Sequence, residues 1–198
     1  MIKAGRRQKP AISVKVALMG PKPTAPLTTN RLVLTPLQPT DAEDMVRVLA
    51  DIELYRFTGG KPPSIDDLKA RYGGQVAGPS NSNEVWHNWI IRLIETGEAV
   101  GFVQATVSGS SAEVAWVVGV DWQGKRIAIE AAQAMCEWLD SQGIENLTAH
   151  IHPQHHASTK VADAIGLRPT NELDDEGEVV WRFPNPRRQA PSETPEPK

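Results

Sequence analysis

A mixed α/β domain, with one central and mostly antiparallel sheet flanked by helices, is the fold class that this sequence predicts. Short apolar runs with strand periodicity alternate with amphipathic helical segments. Three of these runs follow one another with only turn-like links between them, which is typical of an antiparallel meander. The 198 residues, 40% of them hydrophobic, suffice for one packed core with tails.

The two ends of the chain differ from its middle. Residues 1–26 carry six Lys/Arg, no acid and several prolines, and we interpret them as a basic extension. Apolar residues alternate over 12–18, which leaves a short edge strand open there, and Met19 is an alternative natural start. Residues 184–198 are Pro-rich and polar, which predicts disorder. The domain is therefore expected to span residues 27–183.

Charge and composition exclude several classes of protein. The chain carries a net charge of -3, and its middle, without the basic extension and the tail, carries -10. An acidic body argues against binding to nucleic acid, which needs clustered Lys/Arg, and it attracts cationic substrates. No apolar run reaches the roughly 20 residues that cross a bilayer, so no membrane partner is expected. The single cysteine, Cys136, excludes an internal disulfide and favours a cytoplasmic protein.

The first half of the domain contains one strand, two helices and the meander. Residues 31–37 are predicted to form a strand and residues 39–51 a helix. Residues 64–76 are a second helix, which we expect to break near Gly73 and Gly74. The meander strands are residues 86–94, 99–107 and 112–120.

A long helix, a strand, a short helix and a last strand complete the domain. Apolar residues recur at helical spacing from Lys125 to Ser141, and Gly143 ends this helix. Residues 146–152 are the next strand and residues 156–166 the next helix, while residues 178–183 form the last strand.

The loop DWQGKR, residues 121–126, joins the meander to the long helix. Gly124 lets the chain turn, and the unpaired N–H groups of such a loop and of the first helical turn attract anions. The glycine spacings of nucleoside triphosphate and dinucleotide sites are both missing. Because one glycine between a strand and a helix is common, this pattern alone is weak evidence for phosphate binding.

A family resemblance strengthens the interpretation of this loop. AEVAWVVGVDWQGKRIAIEAAQAM and HIHPQHHASTKVADAIGL resemble the acyl-coenzyme A binding half of the GNAT N-acetyltransferase superfamily. TTNRLVLTPLQPTDAEDM resembles the branch that contains the ribosomal-protein alanine N-acetyltransferases. The resemblance covers about residues 27–183. It implies a GNAT-like acyl-CoA N-acyltransferase fold, with strands that splay apart at the cofactor site and acetyl-CoA as the cofactor.

The loop departs from the family pattern at one position. The family loop reads Gln/Arg-x-x-Gly-x-Gly/Ala; Gln123 and Ala128 match its ends, but Arg126 stands in place of the central glycine. The amide of Arg126 can still donate to a pyrophosphate and its guanidinium can add a charged bond, at the cost of a crowded Cβ or of strain at a positive φ. The cofactor-binding residues implied by the resemblance are Val118, Val120, Gln123, Gly124, Lys125, Arg126, Ile127, Ala128, His155 and Ser158.

The resemblance also implies catalytic candidates. His155 takes the place of a family Asn, and Ser158 keeps a hydroxyl, although the Tyr with which many relatives protonate the leaving thiolate is missing. Ser158 is thus the candidate acid, with a hydroxyl that stabilises the first helical turn as the alternative. Glu113 is the candidate base, because relatives often carry a carboxylate there, and an ordinary exposed residue is its alternative. An N–H near Val118 would hold the thioester carbonyl.

Aromatic residues near the first helices are candidates for contact with the acceptor. In the family this part of the chain lines the acceptor pocket, although core packing is the more common role of an aromatic residue. The candidates are Tyr55, Phe57, Trp86 and Trp89. We assign Trp116 and Trp138 to packing.

Histidines near the end of the strand at 146–152 are candidates for a base, an acceptor contact or a metal site. His150 and His152 share one strand face, and each is a candidate for base or acceptor contact. With His155 or His156 they would form a zinc site, which we do not favour because three imidazoles would have to converge across a proline turn.

The sequence therefore predicts a cytoplasmic enzyme that transfers acetyl from acetyl-CoA to a primary amine by direct attack. The alternative is a non-catalytic acyl-CoA binding or interaction module of the same fold, favoured by Arg126 and by the missing Tyr. A zinc-dependent hydrolase is a weaker third reading. Small-molecule and peptide amines both fit as acceptors, and a homodimer is a candidate assembly because relatives commonly form one.

Overall fold

A computed structural model of the chain describes residues 24–80 and 83–183. The strands are β1 (Leu27–Thr28), β2 (Leu32–Pro36), β3 (Val85–Leu93), β4 (Ala99–Ser108), β5 (Ser111–Val118), β6 (Asn146–Ile151), β7 (Arg168–Leu173) and β8 (Val179–Arg182). The helices are α1 (Ala42–Val48), α2 (Ile65–Ala77), α3 (Ile127–Ser141) and α4 (His156–Ala164). The interpretations of residues 12–18, of a start at Met19 and of the 184–198 tail concern residues outside the described part.

The strands form one sheet in the order β1-β2-β3-β4-β5-β6-β8-β7. All neighbours are antiparallel except β5 and β6, which run parallel. The strands β3, β4 and β5 form the predicted meander. The prediction of a mixed α/β fold with a mostly antiparallel central sheet is confirmed.

Helices cover both faces of this sheet. On one face α3 and α4 pack on the strands, with Met135 and Leu139 fully buried against residues such as Val114. On the other face α1 and α2 form a second core in which Met45 and Leu68 are fully buried. Among the described helices none is both long and apolar enough to cross a bilayer.

The helix α2 is continuous, so the break predicted near Gly73 and Gly74 is wrong. Ser64 and Asp67 form a capping box that stabilises the start of the helix, and Tyr72 is buried beneath it. These interactions offset the roughly 1 kcal/mol that each glycine costs inside a helix.

Two strands and one helix boundary also differ from the sequence prediction. The helix predicted at 39–51 is a 3₁₀ turn at Pro39–Asp41 followed by α1, which already ends at Val48. The strands β1 and β7 are not predicted at all. β7 is the polar edge strand RPTNEL, whose exposed residues and proline lack the apolar alternation of a strand with a buried face.

Candidate active site

A fork in the sheet lies between β5 and β6. The two strands are paired from Ser111 and Asn146 to Glu113 and Thr148, and no further rung joins them although both continue. The strands therefore splay apart, as the fold prediction requires. The gap opens between the second half of β5 and the end of β6.

The edge of β5 that faces this gap carries free main-chain groups. The N–H of Gly119 donates to the Val100 carbonyl of β4 at 2.9 Å. Because successive residues of a strand point their N–H groups to opposite edges, the N–H of Val118 faces the gap. The carbonyl of Val118 lies on the same edge and accepts a 3.1 Å hydrogen bond from Gln123 Nε2.

The loop after β5 has an unusual backbone. A 3₁₀ turn at Val120–Trp122 precedes it, so β5 ends two residues before the predicted Val120. Gly124 has a φ of 74° and Arg126 a φ of 62°, and Arg126 is the only non-glycine residue with positive φ in the described part of the chain. Glycine, which the resembled loop pattern has at this position, adopts the left-handed conformation without strain. Here an arginine adopts it.

The helix α3 begins at Ile127, with Arg126 as its N-cap, rather than at the predicted Lys125. The carbonyl of Arg126 accepts the first helical hydrogen bond, from the Glu130 N–H at 3.1 Å. Within residues 24–80 and 83–183, the N–H groups of residues 124–129 find no acceptor. A row of unpaired donors at a helix N-terminus is suited to bind phosphate.

The side chains of this segment leave the donors accessible. Lys125 Nζ donates to the Asp121 carbonyl at 2.9 Å, which folds it back over the loop. Arg126 is exposed, and its guanidinium has no partner in the described residues. Ile127 is buried in the core and Ala128 packs against it. The arginine therefore does not fill the turn and is free to meet an anion.

The second predicted motif follows β6, the second of the two strands that form the fork. His155 is the N-cap of α4, and Ser158 lies in the first turn of that helix. The ring of His155 stacks on Phe57 with centroids 4.6 Å apart, and His152 is 5.1 Å from the same Phe57 ring. Burial, together with the charges of His152 and His156, lowers the pKa of His155. Phe57 thus joins the α1–α2 connection to the end of β6.

Two candidate proton acceptors flank the fork on the face that α1 and α2 cover. Glu113 is exposed and sits on the last paired rung, opposite Thr148. His150 lies two residues after Thr148 on β6, so the two side chains point to the same face of the sheet. The Nδ1 of His150 lies 2.7 Å from Asp174 Oδ2. A hydrogen bond from the Glu178 N–H is the main cause that lowers the pKa of Asp174, and the contact with His150 adds to it.

Asp174 is a functional candidate that the sequence reasoning missed. It begins the turn between β7 and β8, and β7 was not predicted. The residues DDEG at 174–177 are a turn signal, and pairing 168–173 with 179–182 would have placed Asp174 in a hairpin turn, although nothing local shows that this turn lies beside β6.

A cavity lies on the same face of the sheet, between α2 and the strands β3 and β4. Its volume is about 70 Å³, and Tyr72, Asn88, Phe102 and Gln104 are among its lining residues. Gln104 is the register partner of Ala115, which belongs to the unpaired half of β5, so the cavity lies one strand away from the fork. The Tyr72 hydroxyl is buried and finds no hydrogen-bond partner among the residues that the structure describes, and burial raises its pKa to about 12.

The four predicted acceptor aromatics occupy different environments. Trp86 lines a second cavity beside the first, and the Tyr55 hydroxyl donates to the Leu49 carbonyl at 2.9 Å. Trp89 is fully buried, and its indole N–H donates to the Ala25 carbonyl at 2.7 Å. It lies in the core and is also among the residues that line the first cavity, so its assignment as an acceptor contact stays a prediction.

The two tryptophans assigned to packing do pack. Trp116 and Trp138 are partly buried against the α3 core, and the Trp138 ring meets the ring of Trp89 edge-on with centroids 5.2 Å apart.

The histidines do not form a metal site in the described residues. Between residues 24–80 and 83–183, no three His, Cys, Asp or Glu side chains are placed to hold a metal ion together. His150 lies on β6 and binds Asp174, whereas His152 follows the end of β6 and lies against Phe57, so the strand face they were expected to share stays a prediction.

Solved structures share this architecture. An acetyltransferase from Agrobacterium tumefaciens str. C58 superposes with a TM-score of 0.66 at 24% identity, covering 81% of this chain and 95% of that one. A Vibrio cholerae protein, considered a ribosomal-protein-serine acetyltransferase, gives 0.64 at 16% identity, with 81% and 98% covered. AAC(6')-Ib, in complex with paromomycin and acetyl-CoA, gives 0.64 at 16% identity, with 77% and 92% covered. These likenesses show the fold.

The sequence itself matches a family model. No curated protein matches the chain. The model described as "Acetyltransferase (GNAT) domain" matches residues 31–168, which is more than half of the chain and includes the fork, the loop and α4. The chain therefore belongs to the GNAT acetyltransferase family and is an acyltransferase.

Proposed function

We propose that this protein is an N-acetyltransferase that transfers the acetyl group of acetyl-CoA to a primary amine by direct attack. We place it in the branch of the ribosomal-protein alanine N-acetyltransferases, on the resemblance of its first strand and helix. One observation carries the proposal: the fork between β5 and β6 opens next to a loop whose N–H groups at residues 124–129 have no acceptor in the described part of the chain. A long thioester arm and a pyrophosphate fit such a pair of features.

Acetyl-CoA would lie with its pyrophosphate on the loop and its arm in the fork. The donors are the N–H groups of residues 124–129, and the Arg126 guanidinium adds a positive charge. Gln123 donates a hydrogen bond to the carbonyl of Val118. The N–H of Val118, on the same edge of β5, would donate to the thioester oxygen. On the family resemblance, His155, Ser158 and Val120 would contact the same cofactor. The complex of AAC(6')-Ib with acetyl-CoA supports acetyl-CoA as the donor of the acetyl group.

The reaction needs a neutral amine and an exit for the thiolate. A base removes one proton from the ammonium, and the amine lone pair then forms a bond to the thioester carbon. The N–H of Val118 stabilises the oxyanion as the carbonyl becomes tetrahedral. When the C–S bond breaks, the sulfur keeps the electron pair and takes a proton from Ser158, directly or through water, and Ser158 recovers a proton from the attacking nitrogen, which becomes the amide N–H. Direct attack needs no acyl-enzyme, and Cys136 is poorly suited to form one because it is partly buried in α3 and burial raises its pKa to about 12.

Two bases are consistent with the geometry. Glu113 sits at the point where the strands part and faces the side of the cavity. His150 follows on the other prong, and Asp174 binds its Nδ1, which leaves Nε2 to accept a proton. We assign the base to Glu113 first. His150 is the second candidate because a carboxylate orients it.

The acceptor would approach from the face that carries α1 and α2. The cavity lined by Asn88 and Gln104 lies there, with Trp86 beside it and Phe57 near the end of β6. Amide side chains suit an amine that also carries carbonyl groups, such as a peptide N-terminus, and a small-molecule amine is the other candidate. The acidic middle of the chain attracts either one as a cation.

The competing function is a non-catalytic acyl-CoA binding module with the same fold. Two observations favour it: Arg126 replaces the loop glycine, and the second motif lacks the family Tyr. Both functions predict that added CoA raises the melting temperature, because a ligand of the folded state stabilises it by mass action. Only the enzyme releases free thiol from acetyl-CoA when it is offered amines.

A two-step experiment tests the proposal. Melting curves with and without CoA come first, and a panel of peptides, polyamines, amino acids and aminoglycosides with acetyl-CoA follows, read by thiol release. Binding together with amine-dependent thiol release supports the transferase. Binding without release on any amine supports the module, and a melting temperature unaffected by CoA contradicts both.

The setting of the enzyme completes the proposal. We propose a catalytic domain at 27–183, with a basic extension before it and a tail after it, in the cytoplasm, as the single cysteine suggests. A homodimer is the proposed assembly, and light scattering on a sizing column measures its mass.

A further inference from the structure

Arg31, in the turn between β1 and β2, reaches across to the start of α3. Its Nη1 and Nη2 both donate to the Lys125 carbonyl at 3.2 Å. Its Nε donates to Glu130 Oε2 at 2.7 Å, and its own main-chain N–H donates to Glu130 Oε1 at 3.1 Å. One arginine thus holds both the loop residue before Arg126 and the first turn of the helix after it.

Thr29 anchors this contact to the sheet. Its hydroxyl donates to Glu130 Oε1 at 2.6 Å, while the Leu32 N–H donates to the same hydroxyl oxygen at 2.9 Å. Leu32 is fully buried in the α3 core. The turn that carries Arg31 is therefore fixed on the sheet and forms a rigid support for the loop.

We propose that Arg31 and Glu130 are positioning residues that aim the Arg126 N–H at the pyrophosphate of acetyl-CoA. We call them, with Thr29, the loop clamp. The inference rests on the proposed acetyl-CoA site and adds to it the device that shapes it. Nothing in the loop pattern itself requires this contact.

The geometry of the peptide bond links the clamp to the anion site. In a planar trans peptide the carbonyl of one residue and the N–H of the next point in opposite directions. The Lys125 carbonyl is held toward Arg31, so the Arg126 N–H is directed away from Arg31 and away from the clamp. That N–H is one of the donors that have no acceptor within the described residues.

The clamp also accounts for an arginine in a left-handed conformation. A non-glycine residue is strained at a φ of 62°. Such a conformation persists only where the surrounding contacts hold the backbone in place. The Lys125 carbonyl is fixed on one side of Arg126, and the Arg126 carbonyl is fixed on the other by the Glu130 N–H at 3.1 Å. A glycine would need no such support.

Charge is balanced at the same place. Glu130 lies in the first turn of α3, where an unpaired carboxylate would repel a phosphate. The guanidinium of Arg31 lies 2.6 Å from its Oε2 and offsets that charge. Burial raises the pKa of Glu130, but the hydrogen bonds from Thr29 and Arg31 and the charge of Arg31 outweigh it, so the pKa lies below its usual value.

Substitutions at Arg31 test the clamp, with Arg168 as a matched control. Arg168 makes the same kinds of contact, to the Asp163 carboxylate and to the Leu167 carbonyl, and its side chain is similarly exposed, 55% against 52% for Arg31. We expect Arg31→Ala to weaken CoA binding by about tenfold or more, the loss expected when one hydrogen bond to a charged ligand is misdirected. Arg168→Ala should bind CoA like the wild type.

Kinetics and a double variant separate positioning from general stability. In Arg31→Ala the KM for acetyl-CoA should rise while kcat and the KM for the amine stay unchanged. Because glycine adopts the left-handed conformation without strain, Arg126→Gly should be more favourable to CoA affinity in the Arg31→Ala background than in the wild type. If the two substitutions are additive, or if Arg31→Ala behaves like Arg168→Ala, the clamp proposal is wrong.

The loop clamp can be tested even if the protein does not bind CoA. If the wild type does not bind CoA, the proposed function fails, and the clamp is then judged by hydrogen exchange at the amides of Gln123 and Glu130, the hydrogen-bonded N–H groups that flank the loop. Faster exchange confined to those amides in Arg31→Ala supports the clamp, and unchanged exchange overturns it. Glu130→Gln, which keeps shape and loses charge, serves for both measurements if Arg31→Ala does not fold.

Discussion

Glu113 and Thr148 form the last rung between the parallel strands β5 and β6, and the sheet is forked beyond them. The position matters for chemistry because the side chain of Glu113 lies at the base of the gap, on the face that carries the cavity. A carboxylate at the base of such a gap is close both to an arm in the fork and to an amine that arrives from the cavity.

Glu113→Gln tests the first candidate base. We expect turnover to fall by roughly 10²- to 10⁴-fold, the usual contribution of a general base. The rise of the melting temperature with CoA should persist, because the side chain does not contact the phosphate loop. Thiol-release kinetics and melting curves measure the two effects.

Glu98→Gln is a suitable control, because Glu98 is an exposed carboxylate in the turn between β3 and β4. It should leave both measurements unchanged. If Glu113→Gln turns over as fast as this control, Glu113 is not part of the mechanism.

Asp174→Asn tests the second candidate base. The amide keeps the shape of the side chain but withdraws the charge that holds His150 Nδ1 at 2.7 Å. If His150 is the base, turnover should fall by roughly 10²-fold or more, and His150→Gln should cause a loss of the same size. If both variants keep wild-type turnover while Glu113→Gln does not, the base is Glu113 alone.

Most of the fold could be predicted from the sequence because the core elements have clear hydrophobic periodicity. The strands β3, β4 and β5 and the long helix α3 each present an apolar face, and the turn-like links between the strands permit only an antiparallel order. The edge strand β7 has no such face, since the sheet ends there and all its residues but Thr170 are exposed. Its absence from the prediction therefore has a physical cause.

The candidate site was predictable only where it is local. The loop at residues 123–128 lies in one stretch of sequence, and its anion chemistry follows from one strand, one turn and one helix start. Contacts between distant segments leave no such trace. Arg31 meets Glu130 across 99 residues and His150 meets Asp174 across 24, and nothing in the spacing of either pair predicts the contact.

Arg126→Gly tests whether the loop arginine binds phosphate or only crowds it. Glycine removes the strain at a φ of 62°, a cost of about 1 kcal/mol, although it also raises the entropy of the unfolded chain. If the side chain only crowds the site, CoA affinity should be equal or better. A large loss would show that the guanidinium binds the phosphate, and isothermal titration with CoA distinguishes the two outcomes.

His87 predicts a loss of stability in mild acid. The side chain is buried against Trp89 and Trp138, its Nδ1 lies 2.9 Å from Thr24 Oγ1, and burial lowers its pKa below the ordinary 6.5. As the pH falls through 6.5, the unfolded chain takes up a proton that the folded chain resists, so the free energy of unfolding decreases and then levels when folded His87 is protonated.

Denaturant titrations between pH 7.5 and 5 would measure this decrease, over a range chosen to bracket the ordinary His pKa of about 6.5. His87→Gln should flatten part of it. His155, whose pKa burial also lowers, accounts for a further part, so His155→Gln is the comparison. If the slope in His87→Gln equals that of the wild type, the burial of His87 does not govern the pH dependence.

Gly124→Ala separates the stability of the loop from its function. Gly124 has a φ of 74° and Gly97, in the turn between β3 and β4, a φ of 73°, and an added Cβ meets nothing within 4 Å at either position. Both alanine variants should therefore lose a similar free energy of unfolding, about 1 kcal/mol, from backbone strain alone. Only Gly124→Ala should also weaken CoA binding, because only its strain shifts the donors of residues 124–129. Equal CoA affinity in the two variants would mean that the loop does not hold the pyrophosphate.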